Sequence, residues 1–164
     1  MRFDTSLIAA AAFLLALVLT GLVRKLALAH GVLDVSNERS SHDVPTPRGG
    51  GVAIVIATIA AAVALAGRGV LDMRVFVALT GGGIAVALVG FLDDRRQLSA
   101  RIRLAAHLGA AMWALVCIGG LPPLRIAHHV VSFGWGGYVI GALAIAWTLN
   151  LFNFMDGIDG IAAS

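Results

Sequence analysis

Residues 75–96 read VFVALTGGGIAVALVGFLDDRR, an uncharged run over 75–92 closed by two adjacent carboxylates, Asp93 and Asp94, and then by Arg95 and Arg96. A helix that crosses a bilayer needs about 20 predominantly apolar residues, and this run supplies them once its edges are counted. Residues 6–23, 50–66, 104–121 and 136–151 repeat the pattern. Five spans are therefore predicted, and the fold class is all-α, a polytopic transmembrane helical bundle. Composition agrees: 59% of the 164 residues are hydrophobic and 13% charged, about half the charge of an ordinary soluble domain. A water-soluble globule and a disordered chain are both excluded. The second and fifth runs are short for a span of roughly 30 Å, so they are expected to borrow flanking residues. Arg24 and Lys25 stand between the first apolar core and the small pair Ala27 and Ala29, which argues for a retained span over a cleaved signal sequence.

Lys and Arg fall in short clusters between the runs instead of along one face, which speaks for membrane orientation and against nucleic acid as a partner. Arg24, Lys25, Arg39, Arg48, Arg95, Arg96, Arg101 and Arg103 lie on one side of the expected bilayer; Arg2, Arg68, Arg74 and Arg125 lie on the other. The positive-inside rule then turns the amino terminus outward and the carboxyl terminus inward. Phe133, Trp135 and Tyr138 before the fifth span, with Phe152 and Phe154 after it, fit interfacial aromatic belts at opposite faces.

That topology gathers three polar islands, residues 30–51, 93–103 and 150–164, in one compartment. Seven of the nine acids go with them: Asp34, Glu38, Asp43, Asp93, Asp94, Asp156 and Asp159. Asp93 and Asp94 sit at the hydrocarbon edge, at the helix end least suited to negative charge, so a cation is expected to neutralise them. That cation is either a divalent metal or the neighbouring arginines. In the last island Asn150 and Asn153 share a helix face, and Gly157 and Gly160 permit the chain to unwind and bring Asp156 and Asp159 toward water. Convergent oxygen donors of this kind suit Mg²⁺, which works with one or two carboxylates plus substrate phosphates; helix-end capping is the structural alternative. In the first island Pro45, Thr46, Pro47 and Arg48 lead into Gly49, Gly50 and Gly51. Arg48 offers a phosphate-matching fork, and bare amides at a helix start can face an anion. Spacing excludes an EF-hand, because Ile158 and Gly160 occupy the third and fifth places from Asp156, and no P-loop motif occurs. Gly81, Gly82 and Gly83 read as a packing device. His107, His128 and His129 read as structural or solvated.

Taken together, Asn37 to His42 with Pro45 to Gly51, then Asp93-Asp94 with Leu98-Ser99, then Asn150 to Gly160 resemble the polyprenyl-phosphate N-acetylhexosamine-1-phosphate transferases, glycosyltransferase family 4. The first island is more similar to the branch that starts O-antigen-type glycans than to the peptidoglycan branch. The resemblance implies an integral enzyme of the bacterial inner membrane, with its motifs facing the cytoplasm. It would transfer sugar 1-phosphate from a UDP-N-acetylhexosamine to undecaprenyl phosphate and release UMP. Mg²⁺ would be its cofactor, with Mn²⁺ as a substitute. By position, Asp93 would contact or deprotonate the lipid phosphate with Asp94 in support, and Asp156 would hold the metal or diphosphate region. Asn153 would ligate the metal, and Arg48, Asn150 and Asp159 would bind substrate. Family members are longer, and their later spans bring a further metal-binding acid and a basic, His-containing loop. The chain thus resembles an amino-terminal portion, expected to bind Mg²⁺-nucleotide weakly and to turn over little by itself.

Two other readings were weighed. CDP-alcohol phosphotransferases share the Asp-Gly chemistry, but their Asp-Gly-x-x-Ala-Arg core does not match Asp156 to Ile161. A transporter or channel subunit would place its acids near the midplane, whereas these lie at one face. The sugar and the oligomeric state, a homodimer included, are open from sequence. Reagent-accessibility mapping is expected to label positions beside Asp94 and beside Gly160 from the same side of the membrane; labelling from opposite sides would overturn the shared site.

Overall fold

The computed structural model describes residues 2–31, 33–34, 46–47, 49–96, 98–126 and 128–155. Arg48, Asp156 and Asp159 lie outside them. Five helices carry the fold: α1 (Arg2–Ala29), α2 (Gly50–Gly67), α3 (Met73–Arg96), α4 (Ala100–Ile118) and α5 (Gly136–Met155). Each is long and apolar enough to cross a membrane. Two short antiparallel ribbons join them, β1 (Leu33–Asp34) with β2 (Thr46–Pro47), and β3 (Leu124–Ile126) with β4 (His129–Val131). The second ribbon follows Pro122 and Pro123, which lack the amide a continuing helix needs.

The helix ends refine the expected spans, and each shift has a local cause. α4 starts four residues before residue 104 because Ser99 caps it, its hydroxyl accepting from the Ile102 amide. It stops at Ile118 because Gly119 turns left-handed at φ 89°, with the Gly119 and Gly120 amides both returning to the Leu115 carbonyl. α3 begins two residues early, where the Asp72 side chain accepts from the Arg74 amide at 2.8 Å, and it runs through Asp93 and Asp94 to Arg96. The carboxylate pair therefore stands on the last turn of a helix. α5 extends four residues past residue 151 and α2 one past residue 66, the borrowing that their short apolar runs required. α1 continues through Arg24 and Lys25 as unbroken helix.

The chain divides into two compact units, Met1–Leu71 with Phe152–Ser164, and Asp72–Leu151. In the first, α1 packs on α2 through small side chains. Ala27, Ala53, Ala57 and Ala62 are buried, while Leu14, Val18, Ile54 and Val63 are exposed. Small residues inside and large ones outside is the arrangement expected when lipid surrounds the helices.

In the second unit α4 packs antiparallel against both α3 and α5. Against α3, Trp113 lies in a notch made by Gly81, and its indole Nε1 donates to the Val77 carbonyl at 3.2 Å. A Cβ on Gly81 would overlap that nitrogen. Gly82 faces the Ala110 carbonyl, and Gly83 meets nothing, so the packing reading holds for two of the three glycines. Against α5, Leu115 meets Gly141 and Gly120 meets Tyr138, around a core of Ala111, Leu115 and Ala142. Tyr138 packs, half-buried, against that core, whereas Trp135 is 84% exposed. Gly81→Ala should force the indole off Val77 and lower stability by about 1–3 kcal/mol; thermal unfolding in detergent would read this, with the loss largely absent in a Trp113→Ala background.

Candidate functional site

Antiparallel packing fixes which helix ends meet. From the Leu115–Gly141 contact, α4 runs back to Arg103 while α5 runs on to Asn150, about 18 and 14 Å at 1.5 Å per residue. The end of α3 reaches the same level, because Asp93 touches Arg103. The carboxyl end of α3 and the amino end of α4 thus lie together, and the β3–β4 ribbon lies at the opposite end of this unit. Asp93 and Asp94 share that end with Arg103, and Asn150 lies nine residues along α5 from the Leu115–Gly141 contact.

Both oxygens of Asp93 are held. Oδ1 accepts from the Leu98 amide at 2.7 Å and Oδ2 from the Arg103 guanidinium at 2.8 Å, in a part-buried setting. The cation that meets Asp93 is thus Arg103. Arg95 stacks over the Phe91 ring at 4.2 Å, and Arg103, ten residues on, makes the ion pair. Sequence reasoning counted Arg103 only as an orientation charge; its position on the first turn of the next helix was the available signal. Asp94 is exposed on the same turn of α3.

Asn150 is half-buried and its amide nitrogen donates to the Ala146 carbonyl at 2.7 Å, so Oδ1 is the atom it offers a ligand. Asn153, three residues on along α5, is exposed. Among the described residues no three His, Cys, Asp or Glu side chains gather to hold a metal. The donors present are amide and carboxylate oxygens, the kind a hard cation such as Mg²⁺ takes, and Asp156 and Asp159 follow directly in the chain. In the first island, Gly49 precedes α2 in the left-handed conformation at φ 100°, and no side chain caps that helix.

The chain matches the model of glycosyl transferase family 4 over residues 75–164, more than half its length and including Asp93, Asp94 and the terminal island. It belongs to that family. It is 33% identical over 154 residues to a probable undecaprenyl-phosphate N-acetylglucosaminyl 1-phosphate transferase of Bacillus subtilis, covering 90% of this chain and 41% of that protein. A decaprenyl-phosphate N-acetylglucosaminephosphotransferase of Mycolicibacterium smegmatis is 36% identical over 162 residues, covering 88% and 38%. An undecaprenyl-phosphate α-N-acetylglucosaminyl 1-phosphate transferase of Yersinia pestis is 32% identical over 155 residues, covering 91% and 40%. The chain spans about two fifths of the length of these curated relatives. No solved structure matches it.

His107 departs from the solvated option. It is 7% exposed, and its Nδ1 has no hydrogen-bond partner among the described residues. A buried polar atom without a partner costs about 1–3 kcal/mol. His107→Leu should therefore leave the thermal midpoint unchanged or raise it, measured on the purified protein in detergent.

Proposed function

We propose that this chain forms part of a membrane phosphotransferase that moves N-acetylhexosamine 1-phosphate from a UDP-sugar to undecaprenyl phosphate. UMP is released, and a lipid-linked, O-antigen-like glycan of the cell envelope is begun. Family membership supports the reaction class. The observation that carries the reading at residue level is that α3 ends where α4 begins, so Asp93 and Asp94 stand with Arg103 at one end of a membrane-spanning unit. A transporter has no need of such an arrangement at a helix-end surface, whereas a lipid phosphate held at the membrane interface meets its water-soluble donor there.

In the proposed reaction an oxygen of the lipid phosphate attacks the sugar-linked phosphorus of the donor, a P–O–P link forms, and the bond to UMP breaks. Both partners are anionic, so the site's first task is to offset their repulsion and align them. Asn153 and Asp156 would hold Mg²⁺, which supplies charge neutralisation at the diphosphate. Arg48 is assigned to a phosphate through its planar fork, Asn150 to donor groups through Oδ1, and Asp159 to the uridine nucleotide. The carboxylate pair at the end of α3 is assigned to the acceptor side. Since a phosphate monoester is largely ionised near neutral pH, the acceptor needs placement more than proton removal. The charge bias of the loops supports a cytoplasmic face for this end of the molecule, in the inner membrane.

The test uses membranes carrying the protein expressed from its complete reading frame, with labelled UDP-N-acetylglucosamine and undecaprenyl phosphate. Labelled lipid product is expected, lost on chelation and restored by Mg²⁺ or Mn²⁺. Asn153→Ala should raise the Mg²⁺ needed for half-maximal rate by about tenfold or more. Product formation indifferent to chelator would remove the metal from the proposal, and absence of product with intact protein would remove the activity.

A further inference from the structure

We propose that the β3–β4 ribbon is an interfacial anchor: two short strands immersed in the headgroup layer of the bilayer, with a phospholipid surface as partner and Arg125 on lipid phosphate.

Residues 119–135 join α4 to α5, both long and apolar enough to cross a membrane, so the ribbon stands where two spans leave the hydrocarbon. Neighbouring antiparallel helices need only about 2–8 residues to turn from one into the next; the surplus here is built into strands. The ribbon is also seated on the helices. Pro122 and Pro123 stiffen its entry, and Gly120 lies against the Tyr138 ring. A Cβ on Gly137 would stand 3.1 Å from the Cβ atoms of both Leu121 and Phe133, one at each foot of the ribbon. The start of α5 therefore fixes where the strands are held.

Leu124 pairs with Val131, and Arg125 with Val130. Directly opposed residues share a face and successive ones alternate, so Leu124 and Val131 project from one face, Arg125 and Val130 from the other. Val130 is 62% exposed, Leu124 48% and Val131 38%. Apolar side chains thus stand uncovered on both faces. A ribbon resting one face on protein would show water a polar second face, and a second copy adding strands edge to edge would cover neither face. Immersion covers both. Depth is bounded from the other direction, because a two-stranded ribbon keeps a row of unpaired amides and carbonyls along each outer edge, which hydrocarbon does not tolerate. The headgroup layer, about 5–8 Å on each side of the core, supplies water to those edges and accommodates strands about 4.8 Å apart. Arg125 is exposed and carries the charge that lipid phosphates complement. Trp135, exposed in the turn before α5, is a residue type that favours the same layer.

The experiment measures depth on the protein expressed from its complete reading frame, with its other cysteines, Cys117 included, replaced. Val130→Cys and Val131→Cys, one on each face, are labelled with an environment-sensitive fluorophore and reconstituted in vesicles of phosphatidylethanolamine and phosphatidylglycerol. Both labels should be quenched by a doxyl group near the lipid headgroup, at least about twofold more than by one near the chain end, and should be shielded from aqueous iodide. Both substitutions fall at exposed positions, away from the seat on α5, and an unchanged thermal midpoint checks this. Arg125→Glu should weaken the shallow quenching, and more with phosphatidylglycerol present than in phosphatidylcholine alone; Arg125→Lys should not. Labels open to iodide and untouched by doxyl lipid would put the ribbon in water and overturn the anchor. Labels shielded from both quenchers would overturn it too, giving the ribbon to another segment of the chain or a second copy. Stronger quenching from the chain end would overturn the interfacial depth, and indifference to Arg125→Glu in both kinds of vesicle would overturn the phosphate contact.

Discussion

A bilayer interior holds no water to pair with peptide groups, so every residue inside it must satisfy its backbone within its own helix. The five helices answer that demand, and the same demand decides where chemistry can be placed. Charged side chains are pushed to the helix ends, where the chain meets water. Asp93 and Asp94 stand there on the last turn of α3, at the negative end of a helix dipole and next to each other. Two carboxylates so placed need a cation. The start of α4 supplies one in Arg103, which grips Asp93.

That meeting depends on packing far from it. Without a hydrophobic driving force between helices in lipid, close approach rests on small residues and shape. In the second unit the notch at Gly81 receives Trp113, Gly82 lies against the Ala110 carbonyl, and Gly141 receives Leu115. These contacts set how far α4 is slid along α3 and α5. A shift of one helical turn, about 5.4 Å, would carry Arg103 away from Asp93. The glycines in the spans and the polar residues at their ends are thus parts of one device, the first fixing the register that the second requires.

Much of this was legible in the chain itself. Runs without charge announced the five helices long and apolar enough to span a membrane. The carboxylate pair with the Asn150 to Gly160 island carried the resemblance that the family match over residues 75–164 bears out. Helix ends were less legible, because they are decided by single caps such as Ser99 and Gly119 that hydropathy does not register. The contact of Tyr138 with the α4–α5 core is not legible in sequence, because an aromatic ring beside a span suits an interface and a helix contact equally well. His107 was left between two options because its burial depends on which face of α4 its neighbours cover.

Hydropathy, a property of the linear chain, determined that the protein is built of membrane-spanning helices, and its order along the chain put the Asp93–Asp94 pair at the end of one of them. Which arginine answers which aspartate was decided only by the folded molecule. Arg95, Arg96, Arg101 and Arg103 are all near enough in sequence to serve, and only the antiparallel fit of α3 on α4, keyed by Trp113 and Gly81, brings one of them within 2.8 Å of Asp93. An ion pair across two helices is a product of their register, and register is a tertiary quantity.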